Sequence, residues 1–330
     1  MAEDAPRISV VVAAFDASAT LGACLDALLA QELPGERPEI LVVDDGSSDG
    51  SEQIARVRPS VRLLRQERLG PSIARNRGIE AARGDLVAFT DADCVAAPDW
   101  LARLAAHFED PRVLAVGGSQ ACPADATPIQ RDIHAVLSWM GFLGGYTKSA
   151  RLVVETPHNP SCNVMYRRET LLAAGGFRAG MYPGEDVDLD FRLRTWHMDA
   201  RILYDPDARV AHYRPRTLKG WFRMMQRYGD SSGVNVRLHG FFRLLHAAPL
   251  VFGGAGAAWM AWTLSRPFQG LTGALGALLL VTAFVAWRSR DLPMPRLGRR
   301  LVMLLAIPFT FSFGFLRGLL REPPRARRAP

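Results

Sequence analysis

Cysteine is sparse in this chain: four in 330 residues, at Cys24, Cys94, Cys122 and Cys162, with no Cys-x-x-Cys spacing. That scatter indicates neither a disulfide framework nor a zinc site, and it fits a reducing compartment. No secretory leader is expected, because Met1-Ala-Glu-Asp4 is acidic and the apolar run Val10 to Phe15 has only the length of a strand. That run leads into Ala13-Ala-Phe-Asp16, without the Gly-x-Gly-x-x-Gly turn a nicotinamide-dependent oxidoreductase would place there. The formal charge is +7, yet no basic groove rich in aromatics and no nucleic-acid motif is present, so nucleic acid is not an expected partner. Acidic residues all but vanish beyond Leu244. There the charge comes from Arg288, Arg290, Arg296, Arg299, Arg300, Arg317, Arg321, Arg325, Arg327 and Arg328, flanking apolar segments as at the anionic face of a membrane.

What is present divides in two. Ile8 to Phe15 is a continuous apolar run, the pattern of a parallel strand buried on both faces. Helical spacing follows over Thr20 to Gln31, then a second buried strand, Ile40 to Val43, ending in Asp44-Asp-Gly-Ser47. A short helix from Asp49, a strand over Val61 to Leu64 and a helix over Pro71 to Ala82 come next; proline suits that helix's first turn. Asp85 to Thr90 reads as a strand and Pro98 to Phe108 as a helix. This alternation predicts an α/β domain with a mostly parallel sheet flanked by helices. Further on, Ile129 to Phe142, Glu169 to Ala174 and Asp186 to Trp196 read as helices, and Cys162 to Tyr166 and Ala208 to Ala211 as strands.

Sheets of this kind bind ligands beyond the carboxyl ends of their strands. Phe15-Asp16, Asp44-Asp45 and Asp91-Ala-Asp93 all fall at such ends. Two carboxylates flanking a small residue after a buried strand can offer hard oxygen ligands to Mg²⁺ or Mn²⁺ bridging a phosphate. Solvated loop acids are the plain alternative. Asp45 can accept hydrogen bonds from a base or ribose, although a simple helix cap supplied by Ser47, Ser48 or Asp49 would also account for part of that segment.

Five segments carry a resemblance: Val10 to Phe15, Val43-Asp-Asp-Gly-Ser-Ser-Asp49, Gly70-Pro-Ser-Ile-Ala-Arg-Asn-Arg-Gly78, Asp85-Leu-Val-Ala-Phe-Thr-Asp-Ala-Asp93 and Gly184-Glu-Asp-Val-Asp-Leu-Asp190. In order and spacing, over Ile8 to Gly229, they resemble the family-two glycosyltransferases. The resemblance implies the GT-A nucleotide-diphospho-sugar transferase fold and inverting, metal-dependent sugar transfer. It puts Ala13 and Phe15 against the nucleotide base and has Asp45 hydrogen-bonding that base. It sets Arg75 and Asn76 near the nucleotide, Asp91 at the ribose or metal, and Asp93 on the metal and diphosphate. A structural pairing of Arg75 with a strand-end aspartate competes with its nucleotide role. Glu185-Asp186 matches the family's acidic pair, with Asp186 as the base for the acceptor hydroxyl. Asp188 and Asp190 are expected on a solvated helix face. His212 is the candidate further metal ligand, as late histidines are in many GT-A enzymes. His158 and Asn159 are placed at the donor sugar or the acceptor.

The expected organisation is a catalytic domain over 1–230 and a membrane-associated region over 231–330. Ala247 to Leu264 and Pro267 to Trp287 have the length to span a bilayer. Leu301 to Leu316, running on toward residue 320, either spans or lies at the interface, since it contains Pro308 and a span would carry the arginine-rich tail outside. Leu218 to Tyr228 reads as an amphipathic helix on lipid headgroups. The expected location is the cell inner membrane with the catalytic domain facing the cytoplasm. Expected partners are a nucleotide-sugar donor, UDP-linked by preference, and a glycan or polyprenyl-phosphate-linked acceptor. A processive synthase is the weaker alternative, because Gln226-Arg-Tyr228 departs from the processive Gln-x-x-Arg-Trp motif. A non-catalytic nucleotide-sugar-binding membrane protein would have no need of both Asp93 and Asp186.

Overall fold

The computed structural model describes residues 7–35, 37–141, 152–196 and 199–324. Phe142 and the tail arginines Arg325, Arg327 and Arg328, which figured in the sequence reading, lie outside them. The chain forms two compact units that interleave in sequence. Of the described residues, one unit holds those from 7 to 125, those from 141 to 213 and residue 324, the other 126–140 and 214–323.

The first unit is built on a nine-stranded sheet. Its strands are β1 (Ile8–Ala14), β2 (Glu39–Asp44), β3 (Val61–Arg65), β4 (Leu86–Asp91), β5 (Cys94–Ala96), β6 (Val113–Ala121), β7 (Val154–Glu155), β8 (Asn163–Arg167) and β9 (Arg201–His212). They lie in the order β3-β2-β1-β4-β8-β6-β9-β5, with β7 also on β9. The pairs β1–β2, β2–β3, β1–β4 and β6–β9 are parallel, while β8 runs against both β4 and β6. The mostly parallel α/β architecture expected from the alternation is thus present, with β8, β5 and β7 inverted.

Both faces of the sheet are covered, which is why β1 is apolar without a break. Val10 and Val12 pack on one face with Leu21, Leu25 and Leu28 of α1 (Leu21–Leu29) and Trp100, Leu101 and Leu104 of α4 (Trp100–Ala105). Between those two helices in the chain come α2 (Ser51–Arg56) and α3 (Pro71–Ala81), the latter opened by Pro71 as expected. Val11 packs on the other face with Ala74 and Ile79 of α3. The helix expected to run to Phe108 ends earlier, and a 3-10 turn over Ala106–Glu109 continues it.

The strand order places β2 on one side of β1 and β4 on the other, so a crevice opens at the carboxyl ends of these three strands. The ends Ala14, Asp44 and Asp91 fall there together. Because β8 and β5 run the opposite way, their starts, Asn163 and Cys94, reach the same edge.

The second unit contains α5 (Pro128–Trp139) and the four long helices α8 (Leu218–His239), α9 (Leu244–Ser265), α10 (Pro267–Arg288) and α11 (Met294–Leu320). The helices α6 (Arg168–Ala173) and α7 (Glu185–Trp196) belong to the first unit. α9, α10 and α11 are each long and apolar enough to cross a membrane. The third is continuous through Pro308 over 27 residues, longer than the segment read from the sequence.

α8 extends well past the amphipathic stretch ending at Tyr228, and Trp221, Met225, Gly229 and Gly233 are buried along it. Its partner is α11. The carbonyl oxygens of Phe311 and Phe315 lie 2.0 and 2.2 Å from where a β-carbon would stand on Gly229 and Gly233; those of Gln226 and Asp230 lie 2.0 Å from the same points on Gly314 and Gly318. Two Gly-x-x-x-Gly stripes therefore face each other and let the backbones touch. Charge reinforces the pairing. Arg317 donates to the buried Asp230 at 2.8 Å and Arg321 reaches it at 3.4 Å.

The first turns of α11 are tied to α5 in the same way. Asp132 is fully buried and accepts from Arg296 at 2.8 Å, from Arg300 at 2.8 Å and from Arg299. Three guanidinium groups around one carboxylate overcompensate its charge, so part of the basic stretch read as a membrane-facing loop serves an internal ion cluster.

Gly314→Leu drives a side chain into the α8 backbone and is expected to cost about 3 kcal/mol or more. Gly256→Leu, on a part of α9 with open space around it, leaves stability unchanged. Thermal unfolding of the two detergent-solubilised variants beside the parent checks this.

Candidate active site

Strand ends deliver the acids, and the β5–β9 ladder delivers the histidine. Asp93 follows β4 across the Asp91-Ala92-Asp93 turn, and Cys94 pairs with His212 in the antiparallel β5–β9 register. The Tyr213 amide donates to the Asp93 carbonyl at 2.9 Å, which locks the turn against the end of β9. His212 Nε2 then stands 3.4 Å from Asp93 Oδ1. Ligand atoms of Asp91, Asp93 and His212 all lie within 4.8 Å of one another. Two carboxylates and an imidazole form a donor set that suits Mn²⁺ or Mg²⁺, and Asp93 is the more open of the acids, its side chain 43% exposed against 24% for Asp91.

Asp91 is also held from below. Arg75 of α3, 2% exposed, donates from Nη2 to Asp91 Oδ1 at 2.7 Å and from Nη1 to Glu185 Oε1 at 2.7 Å. Burial opposes the charge on Arg75, but Asp91 and Glu185 keep it protonated. Burial likewise pushes the Glu185 carboxyl above its ordinary range, with Arg75 pulling the other way and Asp186 adding to the rise. Ser161 completes the chain of contacts. Its hydroxyl donates to Glu185 Oε1 at 3.1 Å, and its amide donates to Asp186 Oδ2 at 3.0 Å. An unbroken polar path thus runs from the Asp91-Ala92-Asp93 turn through Arg75, Glu185 and Ser161 to Asp186, which is half-buried. No local feature marked Ser161 beforehand; it is defined by its two partners on α7.

The remaining residues named from the sequence occupy varied places. Ala13 lies between Val43 and Asp91 in the sheet register. Phe15 stands just past β1 with the Arg68 guanidinium 4.1 Å over its ring, a stacking partner the sequence reading lacked. Asp45 is 4% exposed, and its carboxylate accepts from Gln66 Nε2 at 2.7 Å and from the amides of Leu69 and Gly70 at 2.8 Å each. It shapes the loop leading into α3. Asn76 clips α3 to Phe177, donating to its carbonyl at 2.7 Å and accepting from its amide at 2.8 Å. Asn159 is fully buried and donates to the Leu203 carbonyl at 2.8 Å, whereas His158 beside it is half-buried.

One expectation is overturned. Asp188 and Asp190 do not lie on a solvated face of α7; both are fully buried. Asp188 accepts from Arg178 at 3.0 Å and Arg192 at 2.9 Å. Asp190 accepts from the Tyr166 hydroxyl at 2.8 Å and the Asn159 amide at 2.8 Å. α7 is polar on its inner side because it packs against arginines and a tyrosine, which helical periodicity of apolar residues does not register.

The fold is of the GT-A type. Residues 9–173 match the family described as glycosyl transferase family 2, and the chain belongs to that family. It is 32% identical over 249 residues to a pre-mycofactocin glycosyltransferase of Mycobacterium tuberculosis, an alignment covering 73% of this chain and 50% of that protein. It is 30% identical over 240 residues to an N-acetylglucosaminyltransferase of Rhizobium meliloti, covering 69% and 56%. The chain thus spans about half the length of these curated relatives. In fold it is similar to a mannosyltransferase from Pyrobaculum calidifontis solved with GDP-mannose and Mn²⁺, with a TM-score of 0.64, 24% identity and coverage of 94% of this chain and 87% of that one.

The buried Asp190 generates a pH test. Burial raises its carboxyl to about 7 against an ordinary 3.8. A carboxyl raised on folding favours the native state below its unfolded value, and that contribution is lost as pH rises through about 7. Asp190→Asn is therefore expected to gain stability on the parent between pH 4 and 7 and to hold that gain above it. Thermal unfolding of both proteins across this range, with the difference plotted against pH, gives the readout.

Proposed function

We propose that this protein is an inverting, metal-dependent glycosyltransferase that moves a sugar from a nucleotide-diphosphate-sugar to a hydroxyl or phosphate acceptor. The observation that carries the reading is the Asp91–Asp93–His212 group and its polar connection through Arg75 and Glu185 to Asp186. Asp93 and His212 hold the divalent cation, Mn²⁺ or Mg²⁺, with Asp91 at the cation or the donor ribose. When bound, the cation neutralises the charge gathering on the departing diphosphate. Ala13 and Phe15 face the base, Phe15 stacking on it with Arg68 behind, and Asp45 keeps the adjoining loop in place. Asp186 accepts the proton of the acceptor hydroxyl as its oxygen attacks the anomeric carbon from the side opposite the diphosphate. His158 is placed toward the sugar or acceptor.

A UDP-sugar is the favoured donor. The Pyrobaculum enzyme was solved with GDP-mannose and Mn²⁺, and a second structure of like fold, GalNAc-T7, with UDP, GalNAc and Mn²⁺ (TM-score 0.51, 18% identity, covering 72% of this chain and 52% of that one). The three apolar helices support an acceptor at a membrane, a lipid-linked or membrane-proximal glycan such as a polyprenyl-phosphate intermediate. Arg288 at the end of the second of them and Arg290 in the link to the third support a catalytic unit facing the cytoplasm at the inner membrane.

A panel of nucleotide-sugars, each assayed for binding and slow hydrolysis by the purified protein, tests the reading. One donor is expected to bind with Mn²⁺, to be released by a chelator, and to rebind when Mn²⁺ is returned. Asp93→Asn is expected to weaken that binding by about tenfold or more; equal binding with and without metal would end the metal-dependent account.

Asp186→Asn is expected to lower transfer by about 10²- to 10⁴-fold while donor affinity stays put. Steady-state transfer set beside equilibrium binding of the nucleotide separates the two quantities, and unchanged turnover would remove Asp186 from the mechanism.

A further inference from the structure

His212 belongs to two groups at once. Beside the oxygen ligands Asp91 and Asp93, it also meets Cys94 and Cys162, and the ligand atoms of Cys94, Cys162 and His212 lie within 4.8 Å of one another. The two thiols come from different strands. Cys94 opens β5, while Cys162 immediately precedes β8, whose carbonyl at that position accepts from Thr90 of β4 at 3.1 Å. Both are buried, at 1% and 4% exposure. The trio sits on the inner side of the same turn that presents Asp93 outward.

Two thiolates and an imidazole make a donor set of a different kind from that of the neighbouring acids. Soft sulfur ligands favour Zn²⁺ or Cd²⁺, whereas Mn²⁺ and Mg²⁺ favour oxygen. A tetrahedral zinc site places two thiolates about 3.8 Å apart, so a contraction of at most about an ångström would close this trio on an ion. Three protein ligands leave one position for water.

We propose that Cys94, Cys162 and His212 form a second, thiophilic cation site, back to back with the Asp91–Asp93 site and sharing His212 with it. A Zn²⁺ ion bound there displaces the two thiol protons to solvent and draws His212 away from Asp93. The oxygen site then loses its nitrogen ligand. Micromolar zinc accordingly inhibits the enzyme by weakening its hold on Mn²⁺. The inhibitory half of this proposal rests on the donor-metal reading above, whereas the occupancy of the thiol site does not.

Co²⁺ is the probe for occupancy, because a thiolate-bound cobalt ion has an intense near-ultraviolet charge-transfer band that oxygen ligation lacks. The band is expected in the full-length detergent-solubilised protein, in Asp93→Asn, and in Cys24→Ser and Cys122→Ser, which alter the cysteines outside the trio. It is expected to vanish in Cys94→Ser and, separately, in Cys162→Ser, each checked for parent-like circular dichroism. If one of those two does not fold, the other decides. No band in the parent, or a band that survives in a folded Cys94→Ser or Cys162→Ser, overturns the site.

Zn²⁺ inhibition of Mn²⁺-dependent nucleotide binding is read in parallel. Cys162→Ser is expected to need about tenfold more Zn²⁺ than the parent; equal sensitivity overturns the coupling between the sites. Failure of the parent to bind any nucleotide with Mn²⁺ would count against the proposed function and leave the cobalt result to stand alone.

Discussion

A buried guanidinium holds the candidate site together. Arg75 lies at 2% exposure between Asp91 on β4 and Glu185 at the start of α7, with 2.7 Å hydrogen bonds to each. A charge in that position is tolerable only while its partners stay in place, since exposing or removing one leaves the others buried and uncompensated. The arrangement therefore couples three elements: the helix that carries Arg75, the strand end that carries the Asp91-Ala92-Asp93 turn, and the helix that carries Asp186. Its charges do not balance within the trio. One guanidinium meets two carboxylates, and both Arg75 Nε and Glu185 Oε2 are buried without a hydrogen-bond partner. Such unsatisfied buried groups are rare in folded proteins and tend to mark places where function has outweighed packing.

The sheet supplies direction where Arg75 supplies cohesion. Parallel strands bring β1, β2 and β4 to one edge at their ends, and the reversed strands β8 and β5 bring their starts to it. One edge therefore collects acids from the ends of forward strands and thiols from the beginnings of backward ones, with His212 arriving at the end of β9 between the two sets. The helices of the second unit follow another rule. Their close approach depends on the absence of side chains at four glycines, and their register is set by carboxylates buried under arginines, Asp132 and Asp230.

Asp45, Asn76 and Arg75, which the family resemblance implies beside the nucleotide, turn polar atoms on the protein itself: on the loop into α3, on the backbone of Phe177, and on two carboxylates. Residues near a ligand and residues that shape its pocket have the same sequence signature, because both are polar groups at fixed spacing from a strand end. Asp190 shows the converse. A polar residue on a helix reads as solvated until a hydroxyl and an amide from elsewhere in the chain surround it.

Local pattern was sufficient for the elements themselves. Unbroken apolar runs require burial on both faces, so the parallel strands, the helices alternating with them, the carboxylates at the strand ends and the long apolar helices near the C-terminus were all legible in the amino-acid order. Their physics is one of near neighbours: a period of two or of 3.6 residues, a proline in a first turn, an aspartate after a strand. Apart from a pairing of Arg75 with a strand-end aspartate, what the order of residues left open was the pairings made across the chain. Arg75 and Glu185 are 110 residues apart, and Asp132 and Arg300 are 168 apart. Cys94 and Cys162 look unrelated as letters and become neighbours only because β8 runs backward between β4 and β6. Direction of a strand within a sheet is a property of the whole fold, since it is set by which edges and faces remain to be covered; the residues of one strand do not carry it.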